Sequence, residues 1–188
     1  MATIGLRDVY FATLTTDPIG GTATYSAPVR LAGAMTANIN PNTATGTLFG
    51  DDGPSESAAT LGEITLELGL TNVSAANQAT LLGHTFEGGI LKKKSSDVPP
   101  YVAVGFRSLK SNGKYKYFWL NKGKFAAPEE DLATKGDKID FKTPTLKGSF
   151  VKRDSDDEWE RVGDEDEVTF TTAIKDAWFT SPIYVAVP

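Results

Sequence analysis

The sequence contains no cysteine and only one histidine, His84. The first absence excludes disulfides, thiolate metal sites and cysteine nucleophiles, and the second leaves carboxylates as the only side chains able to build a metal site. No stretch approaches the ~18 consecutive apolar residues of a membrane-spanning helix. Met1 to Tyr10 carries Arg7 and Asp8 without an apolar run, which argues against a signal peptide and for synthesis in a cytoplasm. Neither a Walker loop nor a GxGxxG motif is present, so no phosphate cradle and no cofactor is indicated. The net charge of -5 argues against avid binding to nucleic acid or anionic membrane, which clustered Lys and Arg drive by displacing counterions.

What is there fits one domain over residues 1–188, a length that buries about 70% of the unfolded surface. A 40% hydrophobic and 23% charged composition is that of a folded domain, and 18 glycines and 10 prolines imply many turns. Strict alternation over Gly62 to Thr71 places Ile64, Leu66, Leu68 and Leu70 on one face and Glu63, Thr65 and Glu67 on the other, a half-buried strand. Leu31 to Asn40 reads the same way, with Leu31, Met35 and Ile39 on an apolar face and Ala32, Ala34, Thr36, Asn38 and Asn40 on a small and polar one. Further strands are expected at Ile4 to Leu14, Gly89 to Lys93, Pro100 to Leu109, Lys114 to Leu120, Ile139 to Thr143, Leu146 to Arg153 and Ile183 to Val187. Lys110-Ser111-Asn112-Gly113 supplies residues that accept positive φ, so its flanking strands form a hairpin. A helix is predicted after the N-cap Ser74, through Ala75, Ala79 and Leu82 to a closing Gly83. Pro128 to Lys135 reads equally as a second helix or a loop. The stretch Pro41 to Thr60 is rich in Asn, Thr, Gly, Asp and Ser, with Leu48 and Phe49 its only large apolar residues before Leu61. It reads as a long loop or arm, and loops beyond about 12 to 15 residues are usually functional.

Three groups bear on chemistry. His84 follows the predicted helix with no Ser or Asp motif around it, which suits a residue at a helix end, near the terminal carbonyls. Asp154, Asp156, Glu158 and Glu165 fall at positions 1, 3, 5 and 12 of a calcium loop, but Trp159 stands where Gly is needed. The same residues also read as a solvated acidic hairpin protecting a strand edge, or as an acidic wall facing a subunit or channel. Lys110, Lys114, Lys116, Lys122 and Lys124 interleave with Tyr115, Tyr117, Phe118, Trp119 and Phe125, either a platform for single-stranded nucleic acid or a sheet with an aromatic core face and lysines at its ends.

Several blocks in fixed order carry a resemblance: Ile4-Gly5-Leu6-Arg7-Asp8-Val9-Tyr10, Leu48-Phe49-Gly50-Asp51-Asp52-Gly53 and Gly62 to Leu68. Pro99 to Phe106, Asn112 to Tyr117, Lys122 to Phe125, Pro128 to Glu130 and Thr143 to Leu146 continue it. Together they resemble the major tail protein family of long-tailed, siphovirus-type phages of Gram-positive bacteria. The likeness runs over roughly Ile4 to Trp159, and the segment from Asp164 to Pro188 matches less clearly.

The resemblance implies a mainly β chain, a β-sandwich or barrel with one flanking α-helix and a long arm at 41–60. It implies no enzymatic activity but a structural virion protein that assembles as homo-hexameric rings, stacked into a tail tube around the tape measure protein. Tail initiator or baseplate and terminator proteins would bound the tube, and double-stranded DNA would pass through it without specific binding. Arm residues Asn42, Leu48, Phe49, Asp51 and Asp52 are expected at the ring or stacking interface, and Thr36, Asn38, Glu63, Thr65 and Glu67 at the lumen, the bland alternative for Glu63 and Glu67 being the solvent face of an ordinary sandwich. The alternative from another class is a monomeric carbohydrate-binding or adhesion sandwich that presents Trp119, Trp159 and Trp178 to a glycan. A calcium-dependent hydrolase would need a pair of carboxylates at a cleft.

Overall fold

Alternating apolar residues become strands that close over a shared core. The structure, a computed structural model, describes residues 2–31, 33–50, 53–129 and 143–183, with the backbone alone at 48–50, 53–56 and 58. Its strands are β1 (Thr3–Thr16), β2 (Thr24–Tyr25), β3 (Val29–Arg30), β4 (Ala34–Gly50), β5 (Gly53–Leu70), β6 (Thr85–Glu87), β7 (Ile90–Lys92), β8 (Val102–Lys110), β9 (Tyr115–Phe125), β10 (Thr145–Val151) and β11 (Glu160–Asp164). Two short helices join them, α1 (Ala75–Leu82) and α2 (Thr172–Ala177). The chain is mainly β, and its architecture is consistent with a β-sandwich.

One antiparallel sheet runs in the order β2-β1-β8-β9-β10-β5-β4, with β3 beside β1 and β11 beside β9. Strands β6 and β7 form a separate hairpin. On one face the core collects Val9, Phe11, Leu31, Val102, Val104, Phe106, Leu120, Phe125, Leu146 and Phe150, with Ile64, Leu66, Leu68 and Leu70 from β5 and Leu81 and Leu82 from α1. On the other face of β8 and β9, Ala103, Tyr117 and Trp119 pack under Trp178, with Tyr10, Phe170 and Phe179 around them. Strand β8 is therefore buried on both faces from Val102 to Phe106, while β5 alternates.

The expected helix forms with the expected ends: Ser74 Oγ accepts from the Asn77 N–H at 3.3 Å, and Gly83 takes φ 71°. Gly is required there because a Cβ would lie 2.3 Å from the Val98 carbonyl oxygen. The β8–β9 hairpin also forms over Lys110 to Gly113, where Gly113 has φ 83° and the Lys110 N–H donates to the Lys114 carbonyl at 2.8 Å.

Three expectations need correction. Met35 is 55% exposed and off the core face, because it is the extra residue of a bulge between Ala34↔Leu70 and Thr36↔Gly69. The bulge switches the parity of β4, so Ala34 and then Ala37 and Ile39 pack on the core. Residues 41–60 are not a loop: 41–50 and 53–60 extend β4 and β5 into one long ribbon. Their small residues and threonines gave no apolar alternation, and every described side chain of this part is exposed. Finally, β11 and α2 were not expected. Of the other expectations, 130–142 and 184–188 lie outside the described residues, while Thr143 and Ile183 are described and belong to no strand.

Candidate functional site

The ribbon is built from two strands of 17 and 18 residues. Only its base is anchored, since β5 pairs with β10 from Ile64 to Gly69 and with β4 throughout. Beyond Ile64 the two strands bond to each other alone among the described residues, and every described side chain at 40–47 and 57–63 apart from residue 58 is exposed. At about 3.3 Å per residue, a run of ten residues reaches roughly 30 Å. A two-stranded hairpin is marginal in water on its own, and an unpaired edge is a template for another chain. Asn42 braces the point where the ribbon leaves the sheet: its Nδ2 donates to the Glu63 carbonyl at 3.0 Å, beside a register shift between Pro41 and Thr43.

The face opposite the core is polar along this side of the sheet. Thr36 and Asn38 of β4 and Glu63 and Glu67 of β5 are exposed, and Thr65 lies half-buried between them. Registered beside these are Lys147 and Ser149 of β10, and beyond them Lys124 of β9. A bulge between Val102↔Gly123 and Val104↔Leu120 turns Lys122 and Lys124 to this side. Lys147 Nζ approaches Glu67 Oε1 at 3.8 Å, so the face mixes charges of both signs. All five expected lumen residues thus share one surface. Of the expected interface residues, Asn42 stands at the ribbon's root, the backbones of Leu48 and Phe49 continue β4, and Asp51 and Asp52 lie outside the described residues.

The lysine and aromatic segment is mostly engaged within the chain. Lys110, 4% exposed, bonds to Asp164 and to Asp166 at 2.6 Å, and these carboxylates hold its ammonium above the usual range. The Asp166 carboxyl is held down to about 2 by Lys110 and Lys114. Lys122 is clasped by Asp17 at 2.8 Å and Asp154 at 2.6 Å, while Lys124 Nζ lies 4.4 Å from the Tyr101 ring centre. Tyr117 and Trp119 are 1% exposed, so they are core and not a stacking platform.

The acidic stretch is likewise spoken for. The buried Arg153 guanidinium takes Asp156 at 2.5 Å and Glu158 at 2.7 Å, and Arg161 takes Glu158 at 2.6 Å. Glu165 accepts from the Tyr115 N–H at 2.8 Å and the Tyr117 hydroxyl at 2.9 Å, and pairs with Lys175. Among the described residues no three His, Asp or Glu side chains converge as a metal site. The carboxylates from Asp154 to Glu158 are solvated, with side chains 42–74% exposed, and they are also bonded by basic partners, of which Arg153 and Lys122 are buried. His84 Nδ1 bonds to Asp97 Oδ2 at 2.7 Å, and its backbone N–H donates to the Ala79 carbonyl at the helix end. None of the three tryptophans offers an open indole face, with Trp119 1% and Trp178 7% exposed and Trp159 half-buried against the core.

Arg153 and Asp17, which knit the end of the sheet together, were missed by sequence reasoning. Asp17 is a lone charge in a polar stretch and Arg153 one of many charges between Lys152 and Glu158, and no spacing marks either as buried. Compared with known proteins, the sequence matches no family model and no curated protein.

Proposed function

We propose that this chain is a tail tube protein of a long-tailed phage, a structural subunit that assembles as stacked homo-hexameric rings around a conduit for double-stranded DNA. The observation that carries the reading is the β4–β5 ribbon, a reach of roughly 30 Å with exposed faces and no partner strand among the described residues beyond itself. Such a ribbon gains a stable environment when a neighbouring subunit covers it. The interior of this chain is filled by side chains such as Leu66, Leu120 and Phe150, so a conduit has to lie between copies. Heterologous contacts close into rings and also propagate along an axis.

In this reading the face carrying Thr36, Asn38, Glu63, Thr65 and Glu67 lines the lumen. Glu63 and Glu67 stand there with Lys124 and Lys147, a mixed wall along which DNA slides instead of being held by counterion release. The tape measure protein, tail initiator and terminator are its expected partners.

Negative-stain electron microscopy of the purified chain over a concentration series, with light scattering on the same samples, tests this. Hollow rings or tubes wide enough for a duplex are expected. A strict monomer at every concentration counts against the reading and directs the next test to a glycan screen.

A further inference from the structure

Asn112 is the only asparagine of the chain that is followed by a glycine. The pair sits in the β8–β9 turn, where residues 111–114 are all exposed and Gly113 takes φ 83°. The backbone nitrogen that follows an asparagine can attack its side-chain carbonyl carbon, and a glycine, with no Cβ, leaves that nitrogen open. The turn therefore brings a nucleophile, an electrophile and access to water to one place.

The folded hairpin engages each of these groups. Asn112 Nδ2 donates to Asp166 Oδ1 at 2.9 Å and to Oδ2 at 3.2 Å, and Asn112 Oδ1 accepts from the Lys114 N–H at 3.1 Å. A carboxylate at one end and an N–H at the other fix the orientation of the amide. The Gly113 N–H is turned to the Lys110 carbonyl at 3.0 Å. Asp166 is itself anchored: its Oδ2 accepts from Lys110 Nζ at 2.6 Å, its Oδ1 lies 3.1 Å from Lys114 Nζ, and its backbone N–H donates to Asp164 Oδ1 at 2.9 Å. Held down to about 2 by the two lysines, its carboxyl is ionised at any pH where the Gly113 nitrogen can lose a proton.

We propose that Asn112–Gly113 is a self-modification site and that Asp166 is the positioning residue that keeps it closed in the folded chain. In the reaction the Gly113 nitrogen bonds to Asn112 Cγ, the Cγ–Nδ2 bond breaks, and Nδ2 leaves as ammonia with the proton that Gly113 gives up. Water then opens the cyclic imide at one carbonyl or the other, giving aspartate or isoaspartate with no change of oxidation state. The aspartate product puts an acceptor where Nδ2 had donated, so two carboxylates face each other where the hairpin meets the 164–167 turn. That turn leads to Phe170, whose ring packs on Tyr117 and Trp178, so the reaction loosens the C-terminal cover from its leading end. The chemistry is independent of assembly into a tube.

Peptide mass mapping of the full chain during incubation at mildly alkaline pH tests it. The folded wild type should convert at Asn112 at least about tenfold more slowly than the same chain unfolded in urea, the scale set by one charge-assisted hydrogen bond. Asp166→Ala, folded by circular dichroism, should recover most of that factor. Asp166→Asn keeps the shape without the charge, should also react faster than the wild type, and serves if the alanine variant does not fold. Asp164→Asn alters a residue that bonds Lys110 and not Asn112, so it should react like the wild type and separate the clamp from a general loosening of the turn. Asn112→Asp, the product made in advance, should speed hydrogen exchange at 165–170 and leave 102–106 unchanged. Equal rates in folded and unfolded wild type, folded Asp166 variants no faster than the wild type, or Asp164→Asn as fast as they are would overturn the proposal. Unchanged exchange in Asn112→Asp would overturn its consequence for the C-terminal cover.

Discussion

The two ends of the large sheet are built to different rules. Around β1, β8 and β9 both faces are covered: the shared core lies on one side, and α2 with the segment around it lies on the other, where Trp119 Nε1 donates to the Trp178 carbonyl at 2.9 Å. Around β10, β5 and β4 only the core side is covered among the described residues, and beyond Ile64 the described ribbon side chains are exposed on both faces. The first region is finished within one chain. The second is left uncovered among the described residues, and in the proposed tube a neighbouring copy would cover it. Substitutions should therefore separate into those that unfold the monomer and those that leave it folded but alone.

The largest effect belongs to the finished end. Trp119→Ala removes a fully buried indole and its hydrogen bond and should cost about 4 kcal/mol in denaturant unfolding of the monomer. A loss below about 1 kcal/mol would mean that the C-terminal cover is not part of the cooperative unit, and the comparison would fail.

Next comes the ionic knot at the end of the sheet. Arg153 is 1% exposed and bonds Asp156 through two nitrogens and Glu158 through one. Both carboxylates are more than 40% exposed and can turn to water if the guanidinium is lost. Arg153→Met keeps most of the volume and should cost about 2 kcal/mol, the scale of lost charge-assisted hydrogen bonds. An unchanged denaturation midpoint would place the 152–158 turn outside the folded unit.

How much of this was legible in the sequence follows the same division. Where one face is buried and the other wet, as at Ile64 to Leu70, alternation reported strand and face together. The capped helix and the β8–β9 hairpin were legible because Ser74, Gly83 and Gly113 do local backbone work. Met35 misled because a bulge shifts parity without leaving a compositional mark. The ribbon read as a loop because strand periodicity records burial, and the described side chains of its outer part are all exposed. The five expected lumen residues were brought onto one face by the same alternation, whereas Arg153 and Asp17 depended on partners far along the chain, 137 residues apart in the case of Asp17 and Asp154.

A smaller, pH-dependent effect sharpens the contrast. Burial alone would raise the Asp17 carboxyl, but the N–H groups of Asp154 and Ser155 and the Lys122 ammonium outweigh it and hold it at about 2, below its ordinary 3.8. A carboxylate depressed in the folded state contributes stability that is fully present above pH ~4 and is lost as the pH falls toward 2. With allowance for solvent screening, the contribution is on the order of 1 kcal/mol. Asp17→Asn should flatten the acid limb of stability between about pH 4 and 2, and a limb of unchanged slope would assign that acid sensitivity to other carboxylates.

The smallest effect on the monomer should come from the ribbon. Thr43→Ala alters an exposed strand residue with no side-chain partner among the hydrogen bonds of the described residues, so unfolding of the dilute monomer should shift by less than about 0.5 kcal/mol. Assembly is another matter. If a neighbouring copy covers this strand, the lost methyl and hydroxyl come out of a packed contact repeated in every subunit, and the concentration needed for assembly should rise although the monomer is unchanged. The paired measurement, unfolding at low concentration and light scattering at high concentration, is what distinguishes an unfinished surface from a merely exposed one. Equal indifference in both would mean that nothing seats on the ribbon near Thr43, and a monomer destabilised as much as by Trp119→Ala would mean that the ribbon is held within its own chain after all.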